Sequence, residues 1–159
     1  MNALQRTIST LDDLKALVGQ EVGVSGWWLV TQEQVNTFAD ATGDHQWIHV
    51  DVERAKASPL GGTIAHGYLT LSLLPFLRGH EWSGVNVELG ASMVINYGSN
   101  RVRFVSPVPV GKRIRLRSKL MSVEEVQPGV FQTVSQATIE IEGQERPAMV
   151  AETVGRTYL

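Results

Sequence analysis

The reactive side chains of this sequence crowd into one short run. Between Asp40 and Asp51, in Asp40-Ala-Thr-Gly-Asp44-His45-Gln-Trp-Ile-His49-Val-Asp51, three acids and two histidines fall within twelve residues. Asp44 and His49 are the pair whose types suit the handling of water. An imidazole, with an ordinary pKa near 6.5, can take a proton at neutral pH. A carboxylate can accept the water's second hydrogen and fix its orientation. Acid–base catalysis of this kind typically contributes about 10²–10⁴-fold. The same groups also suit a plainer role, capping helices and satisfying backbone donors in a loop.

The five-residue spacing constrains the backbone that could bring the pair together. On a continuous helix five positions rotate a side chain by about 140°. On a strand an odd spacing sends the two to opposite faces. Convergence therefore calls for an irregular loop, which Gly43 and the absence of a clean period across the run permit.

The flanking elements read as follows. Thr10, with Asp12 and Asp13 in the first turn, opens a short helix that Gly19 closes, so residues 1–19 read as a short N-terminal helical segment. Val22–Val30, rich in Val and Trp, reads as a strand. Thr31-Gln-Glu-Gln34 has the form of a capping box, starting a helix with Val35, Phe38 and Ala39 or Ala41 on its apolar face and Gly43 at its end. Residues 44–64 read as mostly loop, with a short helix over Asp51–Ala57. From His66 to about Leu77 the chain predicts a helix with almost no polar face, the signature of burial on all sides. Pro75 bends that helix or marks its last turn.

Beyond residue 84 the period becomes two. Met93–Tyr97, Arg101–Val105, Lys112–Val123, Phe131–Ile141 and Ala148–Tyr158 read as strands, with Pro128-Gly129 and Glu142-Gly143 at turns. Long antiparallel strands beside one buried helix predict an α+β chain, a curved sheet wrapped around a central helix, the hot-dog fold. Another α+β topology also satisfies the pattern.

The totals exclude several classes. A chain of 159 residues suits a single domain, read here as residues 1–159. The absence of cysteine removes disulfides, thiolate nucleophiles and Cys-ligated metals. With 14 basic and 16 acidic residues and a net charge of −2, nothing draws the chain as a whole to nucleic acid or an anionic membrane. The most apolar stretch, Tyr68–Leu77, is too short for a bilayer, which needs about 20 residues. No signal peptide is legible, and the expectation is a cytoplasmic protein.

The run Phe38-Ala-Asp-Ala-Thr-Gly-Asp44-His-Gln-Trp-Ile-His49, followed by Ala55, closely resembles the hydratase motif of the MaoC-like family, the R-specific enoyl-CoA hydratases. Two further segments match it: Gly62-Thr-Ile-Ala-His66-Gly67-Tyr68-Leu, and Ile95-Asn96-Tyr97-Gly98 leading to Arg101-Val-Arg103-Phe-Val-Ser-Pro107. The resemblance spans about residues 20–158. It implies the hot-dog fold, and it implies that Asp44 and His49 bind one water. That water adds to the β-carbon of a trans-2-enoyl thioester to give the R-3-hydroxyacyl product, or leaves in the reverse direction. The resemblance puts the oxyanion donor at the backbone N–H of Gly67. It implies no cofactor and no metal, coenzyme A or an acyl-carrier protein entering as part of the substrate, and a homodimer, since a lone sheet leaves edges that need covering. The family's Asn-Pro is replaced here by Gln46-Trp47, which removes the proline that would stiffen the loop.

The remaining candidates are weaker. His66 and Tyr68 stand where they would line a substrate pocket, though His66 equally suits a structural place. Asn96 suits a hydrogen bond in the site or a strand end before Gly98. Arg101–Lys119 carries seven basic residues and no acid. Arg113, Arg115, Arg117 and Lys119 alternate with apolar residues and read as a solvated face. Arg101 and Arg103 are the candidates for coenzyme A phosphates. No aromatic residues interleave with these charges as a nucleic-acid face requires. Three rival readings stand beside the hydratase: a hot-dog thioesterase, a non-catalytic acyl-thioester binding module, and a metal site on His45 and His49, whose spacing is that of helical ligands.

Overall fold

The computed structural model describes residues 6–159. The first five residues of the predicted N-terminal segment lie outside them. Of the rest of that segment, β1 (Arg6–Ile8) is a strand and α1 (Leu11–Lys15) the expected helix, with the Thr10 side chain accepting from the Asp13 N–H. Then follow β2 (Glu21–Val24), β3 (Trp28–Leu29), α2 (Gln32–Thr42), α3 (Trp47–Val50), α4 (Val52–Lys56), α5 (Gly67–Ser72), α6 (Leu74–Gly79), β4 (Ser83–Val87), β5 (Met93–Phe104), β6 (Arg113–Gln127), β7 (Val130–Ile141) and β8 (Met149–Tyr158). The sheet runs β1-β4-β2-β6-β7-β8-β5, with β3 paired to β6 off that path. Its pairings are antiparallel except β1 with β4. This is the curved sheet and central helix of the hot-dog fold that the period-two pattern predicts.

The core explains the curvature. On β6 the inward residues Ile114, Leu116, Ser118 and Leu120 are buried, and Ala137, Ile139 and Ile141 of β7 and Met149 and Ala151 of β8 continue that face. Against them pack Leu69, Leu73, Leu74 and Leu77 of the α5–α6 pair. Burying each such aliphatic side chain stabilises by about 1.5–3 kcal/mol. The outward residues of β6 face glutamates across the strand. Arg115 and Arg117 both reach Glu140, at 2.6 and 3.2 Å, Arg117 also reaches Glu21 at 2.7 Å, and Arg113 pairs with Glu142. Burial pushes the Glu140 carboxyl up, but the hydrogen bonds and charge of the two arginines outweigh it and hold its pKa below the ordinary value. The three arginines of β6 thus form a ladder of ion pairs.

Several elements differ from the sequence reading, each for a physical reason. The predicted strand Val22–Val30 breaks at Ser25. That residue's backbone N–H still bonds Leu116 O at 2.8 Å, while its hydroxyl accepts from the Leu116 N–H at 2.9 Å and donates to Gly26 O, turning the chain out of the ladder. The helix predicted over His66–Leu77 is two short helices. Pro75 stands in the first turn of α6 and the step between them falls at Leu73. Nor is this pair buried on all sides, for Tyr68 is 70% and Phe76 43% exposed. The predicted strands Met93–Tyr97 and Arg101–Val105 are one strand, β5, whose pairing with β8 shifts register after Asn96 and again after Asn100; Arg101 takes a positive φ of 51°. No helix among the described residues is long and apolar enough to cross a membrane.

Strands β2 and β4 come unusually close. A Cβ on Gly84 would lie 2.3 Å from Val22 O and 2.5 Å from the Gly23 Cα, and one on Gly23 would meet the Trp82 ring at 2.3 Å. Overpacking of this kind costs about 1–3 kcal/mol. Gly84→Ala is therefore expected to lower the unfolding free energy by that amount in denaturant titration. Gly62→Ala, where a Cβ meets nothing within 4 Å, should stay within about 0.5 kcal/mol of wild type. Equal stabilities for the two variants would show that β2 and β4 can part without cost.

Candidate active site

The site is assembled by three segments held to one another through backbone groups. The first is α2 and its exit. Thr31 caps the helix by accepting the Gln34 N–H at 3.2 Å, and the Gly43 N–H bonds Ala39 O at 2.8 Å with φ 78°, a left-handed stop that delivers Asp44 outside the helix. The capping box closes only in this one direction, because the Gln34 side chain accepts from the Trp28 indole N–H at 3.3 Å instead. Val35 and Ala39 are buried beside Phe38, while Ala41 is exposed.

The second segment is α3, which carries His49. The sequence reading has an irregular loop here; in the structure a single helical turn runs from Trp47 to Val50. Asp44 and His49 converge because the chain is non-helical up to Gln46 and helical after it. Residue 47, where the family pattern has proline, is the first residue of α3. That is a position proline suits, because its missing N–H has no intrahelical acceptor. Trp47 starts the turn without it, its ring lying 4.4 Å beneath the Arg54 guanidinium.

The third segment, Thr63–Gly67, leads into α5. It is pinned on both sides: the Ile64 N–H bonds Ile48 O at 3.0 Å and the Ala65 N–H bonds Val108 O at 2.8 Å. This strap fixes both histidines. His49 Nδ1–H donates to Ile64 O at 2.7 Å, so its lone pair is on Nε2. His66 Nε2–H donates to the backbone carbonyl of Asp44 at 2.9 Å, leaving Nδ1 buried with no hydrogen-bond partner. The two rings are 6% and 2% exposed and stack at 3.8 Å with an interplanar angle of 25°. The Asp44 carboxylate is exposed, with one long contact from the Gln46 N–H at 3.4 Å.

Asp44, His49 and His66 each present an oxygen or nitrogen, and these atoms lie within 4.8 Å of one another; no other such group of three occurs among the described residues. The spacing fits a small polar molecule held between carboxylate and imidazole. His45 is elsewhere: its Nε2 meets Asp40 Oδ1 at 2.8 Å on the surface, a hydrogen bond that raises its pKa above the ordinary value. The pairing of His45 with His49 suggested by their spacing therefore does not form.

Gly67 is the first residue of α5, where backbone N–H groups lack intrahelical acceptors. A Cβ there would lie 2.8 Å from the Phe104 ring, so glycine is what lets β5 close over this end of the helix. Tyr68 stands beside Phe104 at 5.8 Å. Asn96, Arg101 and Arg103 are also on β5 and exposed, but no hydrogen bond or ion pair links them to Asp44, His49 or His66: Arg101 faces Glu152 at 3.6 Å, and Arg103 donates to Val102 O. The sequence reading missed Gln32. Its amide donates to His49 O at 2.8 Å and accepts from the Thr63 hydroxyl at 2.5 Å, tying α2, α3 and the strap together. Its place at the first turn of α2 gave no signal of that role.

Known proteins resemble this chain along nearly its whole length. A family profile described as the MaoC like domain matches residues 13–142. The 3-hydroxyacyl-thioester dehydratase Z of Mycobacterium tuberculosis is 53% identical over 151 residues, covering 95% of this chain and 97% of that protein. The nodulation protein N of Rhizobium meliloti is 45% identical, covering 91% and 89%. Among solved structures, an (R)-hydratase from A. caviae involved in PHA biosynthesis superposes with a TM-score of 0.68 at 24% identity, covering 87% and 94%. A monoamine oxidase regulatory protein from Archaeoglobus superposes with a TM-score of 0.76 at 20% identity, covering 98% and 97%. With the sheet, the strap and the Gly43-Asp44…His49 turn already in hand, the match fixes the lineage: the chain belongs to the MaoC-like domain family.

Proposed function

We propose that this chain is a 3-hydroxyacyl-thioester dehydratase, adding water reversibly to trans-2-enoyl thioesters with R stereochemistry. The relative at 53% identity is named for the dehydration of 3-hydroxyacyl thioesters. The observation that carries the mechanism is the tautomer of His49. With Nδ1–H given to Ile64 O, Nε2 keeps the lone pair, and a ring nitrogen of His49 lies within 4.8 Å of a carboxylate oxygen of the exposed Asp44. In the hydration direction, a water between them gives one proton to His49 Nε2 while Asp44 accepts its other hydrogen in a hydrogen bond. The water oxygen bonds to the β-carbon, and the π electrons move onto the thioester oxygen, where the Gly67 N–H receives the charge. Proton transfer from the imidazolium to the α-carbon completes the addition and restores neutral His49. No cofactor enters these steps, and coenzyme A or a carrier protein is carried in with the acyl group.

Two copies of the chain are the working form in this reading. β5 lies at the sheet edge with Val94 68% and Tyr97 55% exposed on a strand that also covers Gly67. Exposed apolar edge strands invite pairing. Arg101 and Arg103, on the same strand, then serve the phosphates of coenzyme A where the substrate enters.

Three measurements test this. Wild type is expected to consume the absorbance of crotonyl-CoA and give the R product, with Asp44→Asn and His49→Gln each slower by at least about 10²-fold. Release of free thiol instead of loss of the enoyl absorbance would make the chain a thioesterase. Light scattering is expected to give a dimer that Val94→Lys shifts toward monomer, and a stable wild-type monomer would refute the pairing. Replacing Arg101 and Arg103 together by Ala should raise KM for coenzyme A thioesters with kcat little changed. An unaltered KM would remove both from the substrate path.

A further inference from the structure

On the concave face of the sheet lies a cavity of about 680 Å³, within the range of small-molecule sites. Its walls come from α1, the α5–α6 pair and strands β2 and β4–β8; Asp44, His49 and His66 are not among its lining residues. One side is aliphatic, with Leu14, Leu71 and Leu120. The other carries neutral polar groups such as Asn96, Ser99 and Thr153. Among the described lining residues one is charged, Arg78 of α6.

Arg78 has no carboxylate within ion-pair distance and no hydrogen bond among the described residues. Its one contact of note is the Trp82 ring, whose centroid is 5.2 Å from the guanidinium carbon. The arginines of β6 stand in contrast, each with a glutamate. Arg78 keeps much of its surface accessible, yet its pKa is lowered by desolvation. Arg78 lines the cavity, so part of that accessible surface, with its unpaired donors, is open to a ligand there. A guanidinium so placed presents a planar fork of donors that matches a carboxylate.

We propose that this cavity binds the carboxylate end of an aliphatic chain, the chain lying along the leucine wall and the carboxylate on Arg78. Two sources share that chemistry. One is an acyl thioester whose tail ends in a carboxylate. Its thioester would sit at Gly67, eleven residues before Arg78 along the α5–α6 pair and so at most about 16 Å away, with Leu71 and Ser72 between them on the cavity wall. The other is a free fatty acid. The thioester source rests on the dehydratase reading above; the free-acid source does not.

The test uses the whole chain as wild type, Arg78→Met and Arg78→Lys, with thermal melts to establish that each is folded. Calorimetry compares dodecanoate with dodecanol. Kinetics compare kcat/KM for trans-2-dodecenoyl-CoA and its ω-carboxylated counterpart. Wild type is expected to prefer the carboxylated member by about tenfold or more in at least one arm. The preference should vanish in Arg78→Met and survive in part in Arg78→Lys. Preference in the kinetic arm identifies the acyl tail as the ligand, and preference in the calorimetric arm alone identifies a free fatty acid. No preference in either arm, or one that Arg78→Met retains, overturns the proposal. Crotonyl-CoA turnover by wild type separates the two readings: if it persists, only the cavity assignment has fallen. If wild type turns over neither crotonyl-CoA nor trans-2-dodecenoyl-CoA nor its ω-carboxylated counterpart, the dehydratase reading falls and calorimetry alone decides the cavity.

Discussion

One packing contact sets the rest of this molecule in place. Leu69, Leu73, Leu74 and Leu77 seat the α5–α6 pair against Ile114, Ile139, Ile141 and Met149 of the sheet. Ile114, Ile139 and Met149 have no accessible surface, so interior packing at crystal-like density leaves the helix pair little room to shift. The start of α5 is therefore fixed relative to β6–β8. The strap that leads into it is held by Val108 on one side and Ile48 on the other. His49, which bonds the carbonyl of that strap, inherits its position from the hydrophobic core.

The candidate site is enclosed around its imidazoles and open at its carboxylate. Both imidazoles are buried, and each gives one N–H to a backbone carbonyl, a partner that does not titrate. Gln32 and Thr63 lock the carbonyl side of His49 with neutral groups. Asp44 is the exposed member. Its carboxylate has only the long contact from the Gln46 N–H, but its backbone is tethered by His66, so the loop cannot carry it away from His49 without breaking that hydrogen bond.

What the sequence disclosed follows from how local each signal is. The caps at Thr10 and Thr31, the left-handed stop at Gly43 and the period-two strands after residue 93 depend on neighbouring residues, and the structure has them. The break at Ser25 depends on a hydrogen bond to Leu116, 91 positions away, which no local pattern contains. β1 and β4, of 3 and 5 residues, are too short to show a period and form through pairing in the sheet, β1 with β4 and β4 with β2. The α5–α6 helices read as buried all round because their open face is itself apolar: composition reports what a surface is made of, not whether anything covers it. Asp44 and His49 were legible as reactive types, but their convergence needed the family pattern, since it arises from a change of backbone conformation at Gln46. Gln32 and the stacking of His66 on His49 were illegible, being tertiary contacts between residues of ordinary type.

The irregularity of β5 has a meaning beyond the site. A straight, exposed strand of 12 residues would accept almost any extended peptide along its free edge. β5 is not straight: its two register shifts and the left-handed turn of Arg101 interrupt the row of donors and acceptors that such a peptide would need. The edge is thereby selective by shape. It discourages indiscriminate strand addition, and with it fibrous assembly, while the apolar side chains beside the bends remain available to a surface contoured to match them.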